Sequence, residues 1–252
     1  MSKGRRIVVV GATSGIAEHC TRQWAAQGNL QEIVLLGRNA DKLQRQCADL
    51  QVRAGKDVKI TPMTADFLDP ARIQALVDEI ARAGAIDIVL IAHGMLPDQA
   101  QCQQDLSRTR EAIEINAISP VLFAEAFVNA MLPQKRGTVA IIGSVAGDRG
   151  RKSNYVYGAA KGLVSRHAEG LQHRLAGTGL HVLLIKPGPT DTPMTASLKQ
   201  SGAKLASPED VATDILNAIE QRKAVIYTPR KWALIMLIIR NLPRIVFHKL
   251  NI

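Results

Sequence analysis

At 252 residues, 46% of them hydrophobic, the chain is long enough for one large α/β domain and too apolar to stay disordered. Its net charge of +10 sits mainly at one end: seven of the 32 Lys and Arg fall in 221–252, which holds no Asp or Glu, leaving 25 basic against 22 acidic residues elsewhere. With no recognition motif a nucleic-acid partner is not expected, and the odd, widely spaced Cys20, Cys47 and Cys102 suit neither disulfides nor a metal site, so inert thiols in a reducing cytoplasmic compartment and no bound metal are expected.

The basic start, MSKGRR, is followed by too short an apolar run for a signal peptide, and Ile7–Val10 reads instead as a first strand ending at Gly11. A helix follows over 16–27, a strand at Ile33–Leu36, a polar helix at Asp41–Ala54 and a strand at Lys59–Thr64. Pro70–Arg82 reads as a helix with Pro70 in its first turn, and Ile86–Ala92 as a fourth strand. Residues 107–132 read as one long helical stretch kinked by Pro120. Then come a strand at Thr138–Gly143, a helix at Tyr155–Ala176, a strand at His181–Ile185, a helix at Pro208–Gln221 and a last strand at Ala224–Tyr227. Apolar strands alternating with helices predict a parallel sheet covered on both faces, with a catalytic domain over 1–228 and an apolar, basic tail over 229–252.

The first strand runs straight into Gly11-Ala12-Thr13-Ser14-Gly15-Ile16-Ala17 and a helix. A pyrophosphate is bound by backbone N–H groups at a helix N-terminus, and glycines let the backbone approach it. The second strand ends in Leu36-Gly37-Arg38-Asn39, an arginine where an NAD site would carry an acid, which favours the 2′-phosphate of NADP(H). Thr13 and Ser14 have hydroxyls to add to that contact. Asp66, with Phe67 beside it, follows the third strand and is placed to meet the adenine amino group. Ala92-His93-Gly94 follows the fourth and would pass under the adenosine ribose, with His93 structural or cofactor-lining rather than catalytic.

Tyr157 and Lys161, four residues apart, share one helix face. A carbonyl accepting hydride needs a proton on oxygen, and a nearby ammonium favours the phenolate, lowering a phenol pKa normally near ~10. Ser144, at the end of the fifth strand, is placed to hydrogen-bond the substrate oxygen, and Asn116 to hold the water that connects Lys161 with solvent. Tyr155 has no such partner, since residue 159 is Ala.

With these pieces in this order, the chain resembles the short-chain dehydrogenase/reductase family over about 5–225. The resemblance implies a Rossmann-like, doubly wound α/β sheet of about seven strands and a catalytic group of Asn116, Ser144, Tyr157 and Lys161. It further implies hydride transfer between a nicotinamide and a ketone or secondary alcohol. Pro187, Gly188, Thr190 and Thr192 match the family segment that contacts the nicotinamide end. Ala17 replaces the usual third glycine, and Ile91-Ala92-His93-Gly94 the usual Asn-Asn-Ala-Gly, changes that bear on cofactor packing more than on chemistry.

Substrate choice falls to the loops. Residues 193–207, with Met194 and Leu198, read as a lid, while Arg149, Arg151 and Lys152 either attract an anionic substrate or form a solvated basic loop. In the tail, Trp232–Ile239 is apolar but far short of the roughly 20 residues that cross a bilayer. Beyond it Arg240, Arg244 and His248 recur every four residues among apolar ones, with Pro243 a bend. Two readings stay open: a helix lying in a membrane interface on the cytoplasmic face, or the contact surface of a homodimer or homotetramer. The tail and layout are similar to family members that reduce a lipid-linked keto-sugar, of the decaprenylphosphoryl-ribose 2-epimerase kind. A ketolipid reductase would need the same surface, and a small soluble ketone or a non-catalytic NADP-binding regulator is the alternative.

Overall fold

The computed structural model describes residues 4–250; the first three residues of the basic start and 251–252 of the tail lie outside the described residues. Seven parallel strands form one sheet in the order β3-β2-β1-β4-β5-β6-β7: β1 (Arg5–Val10), β2 (Leu30–Gly37), β3 (Lys59–Thr64), β4 (Ile88–Ile91), β5 (Gly137–Ile142), β6 (Leu180–Pro187) and β7 (Val225–Thr228). β1 shows why the sheet is buried on both sides. Its side chains alternate, sending Val8 and Val10 into one core and Ile7 and Val9 into the other, so an unbroken β-branched run is what the strand requires. The first core is closed by α3 (Pro70–Arg82), α6 (Ser119–Met131) and α7 (Tyr155–Arg174), the second by α1 (Gly15–Ala26), α2 (Ala40–Ala54) and α9 (Pro208–Glu220). Strand order reverses between β1 and β4, and a crevice opens there beyond the carboxyl ends of the strands.

The predicted long helix is not continuous. α5 (Leu106–Ile113) passes into a wide π turn, Glu114–Ile118, before α6 begins. The break lies upstream of the expected kink, because Pro120 has no N–H to give the carbonyl of Asn116 four residues back. The helix widens to let Ser119 N–H reach the Glu114 carbonyl, five residues back. The stretch Leu106–Gln134 is 29 residues long and holds an 18-residue window with the mean hydropathy of a membrane span, 1.5, yet its Phe123, Phe127 and Met131 are buried in the first core.

Two further elements were not predicted from sequence: a short α4 (Gln99–Gln104) before α5, and α8 (Ala196–Gln200) inside the predicted lid. The lid is tied at its base by a parallel bridge between Thr190 and Ala206. After β7 the tail forms α10 (Lys231–Asn241) and, beyond Pro243, α11 (Arg244–Phe247).

Candidate active site

The nucleotide end is made mostly of backbone. Gly11 has φ +77°, and a Cβ there would lie 2.6 Å from the His93 backbone nitrogen, so the turn leaving β1 crosses the end of β4 too closely for any side chain. Ser14 caps α1, its Oγ accepting from Ala17 N–H at 3.3 Å. A Cβ on Gly15 would meet the Thr192 methyl at 2.7 Å, so the first turn of α1 faces the 187–192 segment across a narrow gap. Ala17 is fully buried in the second core, where its methyl is accommodated. Such a glycine cradle at a helix N-terminus fits a pyrophosphate.

Arg38 and Asn39 stand exposed at the end of β2 and line the same cleft, of about 920 Å³. Asn39 has a second duty, capping α2 by accepting from Lys42 N–H at 2.9 Å. That cap turns the first turn of α2 toward the cleft and brings Lys42 into its lining, a cation the sequence reading missed. Asp66 is exposed at the end of β3, outside the cleft lining, and its carboxylate accepts from Leu68 N–H at 2.9 Å; that turn presents Phe67 and Leu68 to the cleft. Ala92 and Gly94 line the floor, and His93 is held by Ser119 Oγ at 2.8 Å and by edge-on contacts with Phe67 and Phe123. Burial, with Lys161 and Arg38 adding to it, pushes His93 down to about 3, so it is a neutral, structural ring.

The reactive groups gather at the other end. Ser144 follows β5 and opens a single 3₁₀ turn, Val145–Asp148, its Oγ accepting from Ala146 N–H at 3.1 Å. Gly147 and Gly158 leave no room for a Cβ between this turn and α7, which brings Ser144 against the first turn of α7, where Tyr157 stands. Lys161, one turn on, is buried and donates to the Ile142 carbonyl at 2.9 Å. Asn116 is buried in the π turn rather than in the cleft lining. Its amide accepts from Met95 N–H and donates to the Ala112 carbonyl, both at 2.9 Å. It adjoins the site at Gly94, where a Cβ would lie 2.8 Å from Asn116 Oδ1 and 3.7 Å from Lys161 Nζ.

The electrostatics differ from the expectation that Lys161 lowers the Tyr157 pKa. Burial pushes the phenol up, and the influence opposing it is a hydrogen bond with Ser144. The Lys161 ammonium lies 5.9 Å from the ring centroid, and burial pushes it down to about 8.

The three loop cations part company. Arg149 turns away from the cleft to the tail, donating to the carbonyls of Ile239 and Leu242 at the end of α10 and stacking on Phe247 at 3.7 Å. Lys152 is exposed, and Arg151 alone of the three lines the cleft. Asp148 ties this loop to the sheet: it accepts from Lys186 Nζ at 2.7 Å and Tyr227 Oη at 2.6 Å, with the Asp148 and Lys186 side chains only 2% and 7% exposed. Sequence reasoning missed this pair, whose one signal was a lysine following the apolar run Val182–Ile185 of β6.

Trp232 is turned inward, against expectation. Its indole lies so close over Gly188 that a Cβ there would be 1.9 Å from the indole nitrogen. The regular Arg240, Arg244, His248 stripe is also broken, since Arg240 faces Tyr227 and Pro243 separates α10 from α11. Met236 is buried beneath α10, while Leu234, Leu237 and Ile238 of α10 and Ile245 and Val246 of α11 remain exposed.

Comparison with known proteins agrees with this geometry. An uncharacterised oxidoreductase of Mycobacterium tuberculosis is 32% identical, in an alignment covering 97% of this chain and 96% of that one. A short-chain dehydrogenase from Sphingobium yanoikuyae, solved with NADPH, superposes with TM-score 0.81 at 23% identity over 95% of this chain and 97% of the other. Actinorhodin polyketide ketoreductase, also solved with NADPH, gives 0.79 at 22% over 90% and 97%. The family model described as short chain dehydrogenase matches residues 5–202, and with the glycine turn, the seven-stranded sheet and the meeting of Ser144, Tyr157 and Lys161 it places this chain in the short-chain dehydrogenase family of oxidoreductases.

Proposed function

We propose that the chain is an NADP(H)-dependent reductase of a ketone carried on an amphiphilic, lipid-linked molecule. The observation that carries this reading is one continuous cleft with Arg38 and Lys42 at one end and Ser144 and Tyr157 at the other. No carboxylate lines it, so the end near β2 suits a 2′-phosphate and repels nothing that NADP(H) brings. Two of the similar structures were solved with NADPH.

The bound nicotinamide supplies the hydride. Ser144 and Tyr157 hold the carbonyl oxygen, and Tyr157 Oη gives it a proton as the negative charge develops there. Burial pushes the phenol up, away from phenolate, so Tyr157 has a proton to give. Lys161, held on the Ile142 carbonyl, restores the proton, and Asn116 fixes the Met95 backbone and the wall behind Lys161. Leu96, Pro97, Met194 and Leu198 give the substrate end an apolar mouth suited to a lipid chain.

The tail supports the lipid part of the reading. The exposed stripe of Leu234, Leu237 and Ile238 belongs to a tail that also carries Arg230, Lys231, Arg244 and Lys249, and 221–252 holds no acidic residue. We place this face on anionic lipid at the cytoplasmic side of a membrane. A homo-oligomer covering the same stripe is the competing outcome.

The test is NADPH oxidation by the full chain with 3-ketolipids, polyprenyl-linked keto-sugars and soluble ketones, in detergent and with vesicles. Turnover of a lipid-borne ketone that is absent in Tyr157→Phe supports the reading; turnover of soluble ketones alone overturns its lipid part. Co-sedimentation with phosphatidylglycerol vesicles should be lost when Leu234, Leu237 and Ile238, 64%, 59% and 56% exposed, become Glu. If that variant instead lowers the mass in sedimentation velocity, the stripe is an oligomer contact.

A further inference from the structure

We propose that Arg151 is the specificity residue of the cleft, taking an oxyanion, phosphate or carboxylate, borne by the substrate. Four cations line the cleft: Arg38 and Lys42 at the nucleotide end, Lys161 in the reactive group, and Arg151. Arg151 is thus the one cation of the lining left to the substrate, and no lining carboxylate competes for it.

Its own surroundings leave it unmatched. Arg151 Nε is buried with no hydrogen-bond partner, and burial lowers the guanidinium pKa from its ordinary value. The neighbouring carboxylate, Asp148, has one oxygen on Lys186 and the other on Tyr227, and neither is hydrogen-bonded to Arg151. A guanidinium whose Nε is held out of water without a partner costs stability, and an oxyanion that accepts two N–H bonds is the ligand that offsets it. Asn154, on the same cleft wall, adds a second orphan: its buried Oδ1 has no partner, although Asn154 stands at the start of α7, where that oxygen would ordinarily cap the helix. An oxyanion and a neighbouring hydroxyl donor on one ligand satisfy both residues.

The loop is also built to aim the guanidinium. Asp148 pins it to β6 and β7, and Arg149 clamps it to the end of α10, so the backbone entering Arg151 is held on both sides of the sheet edge. This assignment deepens the reductase reading and rests on it for the identity of the cleft as a carbonyl site.

The experiment uses the full chain saturated with NADPH, which occupies the Arg38 end. Inorganic phosphate and monododecyl phosphate are titrated by calorimetry into the wild type, Arg151→Met and Arg151→Lys. Phosphate binding weakened at least about tenfold by Arg151→Met, and partly restored by Arg151→Lys, supports the assignment. Dodecyl phosphate binding more tightly than inorganic phosphate in an Arg151-dependent way points to a lipid headgroup; equal affinities point to a free phosphate or acid. Equal anion affinity in wild type and Arg151→Met, or no binding of either probe to the wild type, overturns it. Thermal melts of both variants exclude misfolding, since removing an unmatched cation should leave the melting temperature equal or higher. Wild-type turnover of the lipid-borne and soluble ketones named above is measured separately: no NADPH oxidation with any of them would sink the reductase reading while leaving the anion result standing.

Discussion

The two ends of the cleft are made in different ways. At the nucleotide end the ligand meets backbone: the turn after β1, the N-terminus of α1 and the strand termini at Gly37 and Ala92. At the substrate end it meets side chains carried on loops, and those loops are fixed by residues distant in sequence, Lys186 on β6, Tyr227 on β7 and the carbonyls of Ile239 and Leu242 in the tail. A backbone site depends on glycine spacing within a dozen residues, whereas a side-chain site depends on tertiary partners. The first end should therefore tolerate changes in the second, and the reverse.

Tyr157→Phe puts the strongest strain on that separation. Turnover should fall by about 10²–10⁴-fold, the span of general acid catalysis, while NADPH binding, followed by fluorescence, persists. Loss of both together would show the ends to be one unit.

Asp148→Ala should cost about 3–5 kcal/mol in urea unfolding, because it leaves Lys186 buried and uncompensated. Asp148→Ala with Lys186→Met should recover most of that. If the single variant is as stable as wild type, the substrate loop is not held by this pair.

Arg38→Asp acts at the nucleotide end alone. It should shift the NADPH-to-NADH preference by at least about tenfold, read from the two dissociation constants. An unchanged ratio would pass the 2′-phosphate to Lys42.

The smallest effect is a pH limb. Lys161, pushed down to about 8, loses its proton as pH rises through that value, so reductive kcat should decline above about pH 8. Tyr157 is moved the other way and contributes no limb there. A rate flat from pH 7 to 9 would remove Lys161 from the proton path.

The same contrast explains what was legible in the sequence. Seven strands and the covering helices followed from period and punctuation, and Ser144, Tyr157 and Lys161 meet as their strand-end and helix positions required. The turn at Asp66 was not legible, because a carboxylate two residues before a backbone N–H forms a local turn that composition does not show. Pro120 was correctly seen as a disruption, but a missing N–H is felt four residues upstream, at the π turn. The tail misled most: Trp232 at the head of an apolar, cationic helix has the pattern of an interfacial anchor, and only Gly188, 44 positions away, reveals that it packs inward. The opposite roles of Arg149 and Arg151, two residues apart, were equally hidden.

That Trp232 rests on Gly188 has a spectroscopic consequence. The chain has two tryptophans, and the other, Trp24, is sealed in the core under α1. Trp232 is therefore a built-in optical reporter packed against Gly188, which lines the cleft. Its emission should be quenched by energy transfer when a reduced nicotinamide binds, and Trp232→Phe should leave mainly the weaker response of Trp24.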